Sequence, residues 1–369
     1  MLRSAAASLI RNFGNIGGWR TNRRIVVIES DDWGSIRVPS RAVFDEFAAR
    51  GFAVASTQYN RLDALESDED LSSLLAVLSK HRDYHGRPAC VTANVIMANP
   101  DFDRIRASGF SEYHYEHFRT TLAKYPAHHR VFDLYRQGMA NTLFHPQFHG
   151  REHLNVHRWM TDLKNAVPDV RYAFEKHTTY SGRGDYNYME ALDVDRQDEY
   201  ASLKEILKDG LSLFRETFGY TSRSFIAPCY TWDSQLESVL HEQGVEFIQG
   251  GRHQYVPRGG FENYSSQVHY LGQRNTLGQI YLTRNGFFEP SLVQKSDWVD
   301  YTLASIRDAF RWKKPAIICS HRINFIGSID EANRDRNLRL LDDLLRRVIA
   351  AWPDVEFMTS DKLGDLIKA

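Results

Sequence analysis

The stretch IVVIESDDWGSIRVP, residues 25–39, sets two adjacent carboxylates, Asp31 and Asp32, directly after a β-branched apolar run. Side by side the two acids repel each other, and a surface turn has little use for both. A cation held nearby is the first candidate for what keeps them together.

Working outward, short strand-like runs alternate with helical stripes almost throughout. The runs are RIVVIE (24–29), ACVTANVIM (89–97), NTLFHPQFH (141–149), SFIAP (224–228), VEFIQ (245–249), QIYLTRNGFF (279–288), PAIICS (315–320) and VEFMT (355–359). Between them, Ser40 and Gly51 bracket a helix with Val43, Phe44 and Phe47 on one face. Leu71, Leu74, Leu75 and Leu78 mark another helix; Leu203, Ile206, Leu207, Leu211 and Phe214, closed by Gly219, mark a third. Leu338, Leu341, Leu344, Leu345 and Val348 stripe the last long one. Such β–α alternation predicts a mainly parallel sheet covered by helices, open or closed into a barrel. The expected organisation is an N-terminal extension over 1–22 and a single catalytic domain over 23–369. A polar, Gly/Tyr-rich insertion at about 156–200 is expected to lie over one end of the sheet.

Composition narrows the function classes. Forty-six basic against forty-seven acidic residues give a net charge of −1, so nothing points to a nucleic-acid partner. Three cysteines, Cys90, Cys229 and Cys319, are too few and too odd in number for a disulfide framework. The apolar part of MLRSAAASLIRNFGNIGGW is too short and interrupted for a signal peptide, and no run approaches a membrane span. The expectation is a soluble, cytoplasmic protein without an integral membrane span; the oligomeric state stays open.

In a parallel α/β sheet the strand C-termini share one face, and reactive groups gather there. Asp31 and Asp32 follow the first strand, His149 ends another, Tyr230 follows SFIAP, and His321 follows PAIICS. HPQFHGREHLNVH places His145, His149, His153 and His157 at steps of four. Two imidazoles at that spacing can share a metal, and His149 with His153, at the strand-to-helix turn, is the best couple. With one carboxylate they make a His-His-Asp set suited to Zn2+ or another divalent transition metal.

The constellation resembles the polysaccharide deacetylase family, carbohydrate esterase family 4, whose NodB-homology fold is a distorted (β/α) barrel. ESDDWG (29–34) resembles its Thr-Phe-Asp-Asp-Gly motif, which makes Asp31 the general base and Asp32 a metal ligand. HGREH (149–153) resembles the His-x-x-x-His ligand motif, although HPQFH (145–149) has the same spacing and leaves open whether His145 replaces His153. FIAPCY (225–230) resembles the third motif, SDWVD (296–300) the Asp-Trp motif, and IICSH (317–321) the Leu-x-His motif. The resemblance implies His321 as general acid, Asp297 as the carboxylate that orients it, and Trp298 as a wall of the acyl pocket. It also implies the Tyr230 backbone N–H as an oxyanion donor. Asp297 capping a helix that begins at Trp298 is an equally good reading of that pair.

The sequence departs from the pattern in places. Ile226 stands where the family has the Arg that orients the base, and Arg223 or Arg322 is offered as a substitute. Cys319 stands for an apolar Leu of the acyl pocket, Cys229 is extra before Tyr230, and Trp33 precedes the usual Gly. The implied function is a metal-dependent deacetylase acting on an acylated carbohydrate, most simply an N-acetyl sugar of a glycan or glycan precursor. Two alternatives stay open: an O-acetyl esterase or deformylase on the same site, and a non-catalytic carbohydrate-binding protein with a degenerate site.

Overall fold

The computed structural model describes residues 12, 14–183, 186–292 and 297–369. Residues 1–11 and 13 of the expected extension, Gly184 and Asp185 of the expected insertion, and Ser296 of the Asp-Trp motif lie outside the described residues.

In chain order the strands are β1 (Arg24–Trp33), β2 (Val91–Ile96), β3 (Ala98–Pro100), β4 (Tyr115–His117), β5 (Phe144–Gly150), β6 (Ser224–Ile226) and β7 (Phe247–Gly250). They continue as β8 (His253–Pro257), β9 (Tyr264–Val268), β10 (Ile280–Thr283), β11 (Gly286–Phe287), β12 (Ala316–His321) and β13 (Val355–Met358). Nine of them form one sheet in the order β10-β7-β6-β5-β2-β1-β12-β11, with β13 also on β1, and its pairings are parallel. β3 with β4 and β8 with β9 are separate antiparallel ribbons, which the sequence reading did not foresee.

The run QIYLTRNGFF, read as one strand, is two. β10 and β11 sit at opposite edges of the sheet, yet only Arg284 and Asn285 separate them. Three peptide steps reach at most about 11 Å, so the sheet must curl until its edges nearly meet. The linker spans the seam: Arg284 N–H donates to the Gly250 carbonyl of β7 (2.8 Å) and Asn285 N–H to the Ile317 carbonyl of β12 (3.0 Å). The fold is a distorted (β/α) barrel, closed by chain rather than by strand pairing.

Alternation along β1 sorts the layers. Val26 and Ile28 join Leu71 and Leu74 of the helix Asp68–Ser79 and Leu341 and Leu344 of the helix Glu331–Ala351 in the outer core. Ile25 and Val27 instead cluster with Phe247, Ile280, Leu282, Ile317 and Leu363 in the barrel interior. Glu29 and Asp31 follow on that inner face, as Arg284 follows Ile280 and Leu282, and as Cys319 and His321 follow Ile317. The interior is therefore apolar at one end and charged at the other, where the strand C-termini open. Ser40 caps the helix Arg41–Ala49 by accepting from the Val43 N–H, as the sequence suggests. No helix among the described residues is long and apolar enough to cross a membrane.

Candidate active site

Adjacent strand residues point to opposite faces, so Asp31 and Asp32 need a device to meet in one place. β1 supplies it with a bulge: Ser30 pairs with Ala93 and Trp33 with Val95, which leaves one extra residue on β1. Within it Asp32 takes the left-handed φ of 76°, uncommon for a residue with a Cβ though least so for Asp and Asn. β5 repeats the device. Val95 pairs with Phe148 and Ile96 with Gly150, so His149 is the extra residue, and Gly150 turns at φ 148°. His153 follows in the turn ahead of the helix Val156–Lys164 rather than on a helix.

These irregularities bring Asp32, His149 and His153 together as a buried group. Asp32 Oδ1 lies 3.3 Å from His149 Nε2 and 3.3 Å from His153 Nε2. His149 donates from Nδ1 to the Ile226 carbonyl at 2.9 Å, which fixes the ring with Nε2 turned toward the carboxylate. Burial pushes the His153 imidazole down to about 3, which keeps it neutral. One ligand atom from each of the three side chains thus falls within reach of a common point, an arrangement that suits a cation at its centre. Two imidazole nitrogens and one carboxylate oxygen suit a divalent transition metal, with positions left for water and substrate. His145 stands apart: it contacts Gln147 (2.9 Å) and Asp361 (3.2 Å) and stacks on Tyr220. The pair that gathers on Asp32 is His149 and His153.

Asp31 has different company. Arg284 grips it with two hydrogen bonds, Nη1 to Oδ2 and Nη2 to Oδ1, each 2.7 Å, and donates from Nε to Glu29 Oε2 at 2.6 Å. Asn94 Nδ2 adds a bond to Asp31 Oδ1 (2.7 Å) and another to Gln249 Oε1 (2.9 Å). Burial opposes the charge on Asp31, but the guanidinium outweighs it and holds the carboxyl at about 2. Arg284 thus occupies the chemical place that Ile226 leaves vacant. Neither arginine offered from the sequence does so. Arg223 pairs with Glu246 (2.8 Å) and Asp365 (2.5 Å), and the buried Arg322 with Asp63 (3.0 Å) and Glu66 (2.9 Å).

Across the opening, His321 Nε2 is 3.7 Å from Asp31 Oδ2. Its Nδ1 donates to Glu289 Oε1 at 2.6 Å, and Asn324 Nδ2 steadies Glu289 Oε2 at 2.8 Å. Burial works against the imidazolium, but the adjacent Glu289 carboxylate raises His321 to about 9. The orienting carboxylate is thus Glu289, two residues beyond β11, and the expectation for Asp297 needs correcting. Asp297 is exposed and caps the helix Trp298–Arg311 by accepting from the Asp300 N–H at 2.8 Å. Trp298 packs edge-on against Tyr301 at the start of that helix and is not among the residues lining the cavity over Asp31 and Asp32.

Tyr230 reaches the site by its side chain. Its hydroxyl accepts from Arg284 Nη1 (3.0 Å) and lies 3.5 Å from Cys319 Sγ. Its backbone N–H donates to the Ala227 carbonyl at 3.0 Å, so the expected oxyanion donor is engaged within its own turn. Cys319 is buried among polar groups, with Arg284 Nη1 at 3.2 Å and Glu289 Oε1 at 3.5 Å. Glu289, Cys319 and His321 also lie close enough to share an ion. The guanidinium against the thiol and the Glu289–His321 bond already account for that cluster without one.

Asp31, Asp32, His149, His153, Tyr230 and His321 all line one cavity of about 590 Å³. Its other walls come from residues 178–181, 186, 187, 189 and 190, part of the segment read as an insertion, and from Arg37 and Tyr59. The sequence reading missed Arg284, Glu289, Asn94 and Arg37. Only Glu289 had a usable signal, since it follows a strand end as His321 does.

Fold and site together define a distorted (β/α) barrel with a carboxylate–imidazole group at its strand C-termini. No protein-family profile matches the chain, and no curated protein matches it in sequence. Structures similar to it include one from Mycobacterium smegmatis described as a polysaccharide deacetylase, 11% identical over 95% of this chain and 93% of that one, TM-score 0.47. Another, from Pseudomonas aeruginosa PAO1 and described in the same words, is 10% identical over 93% and 91%, TM-score 0.46. PuuE allantoinase is 10% identical over 94% and 91%, TM-score 0.46. Similarity of this size says nothing about chemistry, which rests on the geometry of the site.

Proposed function

We propose that this protein is a metal-dependent hydrolase that removes an acyl group, foremost N-acetyl, from a sugar. The observation that carries the reading is the division of labour between neighbours: Asp32 gathers two imidazoles while Asp31, held by Arg284, faces His321. Asp32, His149 and His153 would hold the divalent ion, and Zn2+ fits their donor atoms. Such an ion supplies a Lewis acid that polarises the acyl carbonyl and acidifies water.

The protein's own groups then handle the protons. Asp31 stays ionised at any working pH, and Oδ2 is the oxygen turned toward His321, placed to take a proton from water. Its low proton affinity makes it a weak base, sufficient only for water that is already acidified. His321, protonated below about 9 and fixed through Nδ1 by Glu289, presents Nε2–H toward the same space. It is the donor for a departing amine. Tyr59, Tyr180, Tyr186 and Tyr230 give the cavity the aromatic, hydroxyl-bearing lining that suits a sugar.

Ile226 in place of the family's arginine is the ground for the non-catalytic alternative, and the two Arg284 hydrogen bonds to Asp31 speak against it. One observation favours a second reading, deformylation: polar groups surround Cys319, where the resemblance places an apolar acyl pocket. The test is release of acetate or formate from N-acetyl-, N-formyl- and O-acetyl-glucosamine probes by Zn2+-loaded protein, with Asp31→Asn as control. Release from the N-acetyl probe supports the main reading; no release from any probe sinks it.

A further inference from the structure

Among the described residues that line the cavity, Arg37 is the one arginine or lysine. Its setting is rigid. Nε forms an ion pair with Asp63 Oδ2 at 3.2 Å, and the guanidinium carbon sits 4.7 Å over the Tyr59 ring. Asp63 is itself buried and bound through Oδ1 by Arg322 Nε (3.2 Å) and Nη2 (3.0 Å). Arg322 in turn holds Glu66, which accepts from Tyr135 (2.5 Å) and from the Gly34 N–H (3.1 Å). Arg322 is thus shared between Asp63 and Glu66, and Arg37 brings a second positive charge to that pair of carboxylates. Arg37 is anchored on one edge by Nε, and its terminal nitrogens have no partner among the described residues.

The other charges at the cavity wall have neighbours of their own. Glu190 and Glu262 also line it, and Glu190 sits in the field of Asp193, Arg158 and Glu262. Inside, Asp31 has Arg284 and Asp32 has its imidazoles. The free edge of Arg37 is left as a pre-set planar fork, the geometry that takes a carboxylate or phosphate through two hydrogen bonds.

We propose that Arg37 is a specificity-determining residue that binds an oxyanion on the substrate, so that the preferred sugar is acidic, carrying a phosphate or a carboxylate. The inference rests on the sugar-hydrolase reading for its substrate class, but it is tested by binding rather than turnover. Titration calorimetry on Zn2+-loaded protein would compare N-acetylglucosamine, its 1-phosphate and its uronic acid. Wild type is expected to bind at least one acidic probe about tenfold or more tighter than the neutral sugar, in keeping with hydrogen bonds to charged groups. Added salt should erode that preference. Which acidic probe wins identifies the anion. Arg37→Gln should bring the acidic probes to the neutral level and leave the neutral probe unchanged, while Arg37→Lys should retain part of the preference.

Equal binding of neutral and acidic probes by wild type overturns the proposal, as does a preference that survives Arg37→Gln. Should Arg37→Gln fail to fold, the wild-type comparison and its salt dependence decide alone. Failure of every probe to be hydrolysed, with the binding preference intact, counts against the hydrolase reading and not against this one.

Discussion

Arg284 and Asp31 are 253 residues apart in sequence and joined by two parallel hydrogen bonds of 2.7 Å, with the arginine fully buried. The pairing follows from barrel closure, because Arg284 lies on the two-residue link between the sheet's edges. It leaves Asp31 ionised and fixed beside Asp32 without drawing on whatever Asp32 holds. Arg284→Met would strand two buried carboxylates, Glu29 and Asp31, and the loss of one partner from such a site costs about 3–5 kcal/mol. Chemical denaturation should show that loss. Stability within about 1 kcal/mol of wild type would mean the pairing is not the keystone described.

Asp31 and Asp32 should separate cleanly by substitution. Asp31→Asn is expected to retain one bound Zn2+ per chain and lose about 10²–10⁴-fold in kcat, the range for a lost acid–base group. Asp32→Asn should lose metal affinity first. Metal content after dialysis, set beside turnover, tells the two apart; equal metal loss in both would erase the distinction.

The alkaline limb of activity should report His321. Its folded value, raised to about 9 with Glu289 as the main raising influence, means the acid form prevails below that pH and is lost as pH rises through it. Glu289→Gln removes that influence, so the alkaline limb of kcat/KM must move to lower pH. An unmoved limb would show that Glu289 does not set the state of His321.

Asp297 provides the contrasting case. As an exposed cap of the helix Trp298–Arg311, Asp297→Ala should cost about 1 kcal/mol of stability. The pH profile should stay in place, since His321 is oriented by Glu289. A displaced profile would restore the role that the Asp-Trp resemblance implies.

Much of this was legible locally. The β–α alternation, the caps and the strand-end positions of Asp31, Asp32, His149 and His321 are properties of short stretches, and short stretches carry their own pattern. What was not legible depends on closure. Nothing in LTRNG reveals that its two halves belong to opposite sheet edges, so Arg284 read as an ordinary strand residue. Asp297 misled because one Asp ahead of Trp serves equally as a helix cap and as a site carboxylate, and only the observed partners, Glu289 for His321 and the Asp300 N–H for Asp297, separate the two roles. Steps of four among histidines are the spacing of a helical face, whereas two bulges and a turn make the actual group.

The central claim is that one divalent ion sits between Asp32, His149 and His153. Anomalous X-ray scattering from crystals grown with Zn2+ tests it directly. The account predicts one peak within about 2.0–2.2 Å of Asp32 Oδ1 and the Nε2 atoms of His149 and His153. A peak held instead by Glu289, Cys319 and His321, or no peak at the strand C-termini, would contradict it.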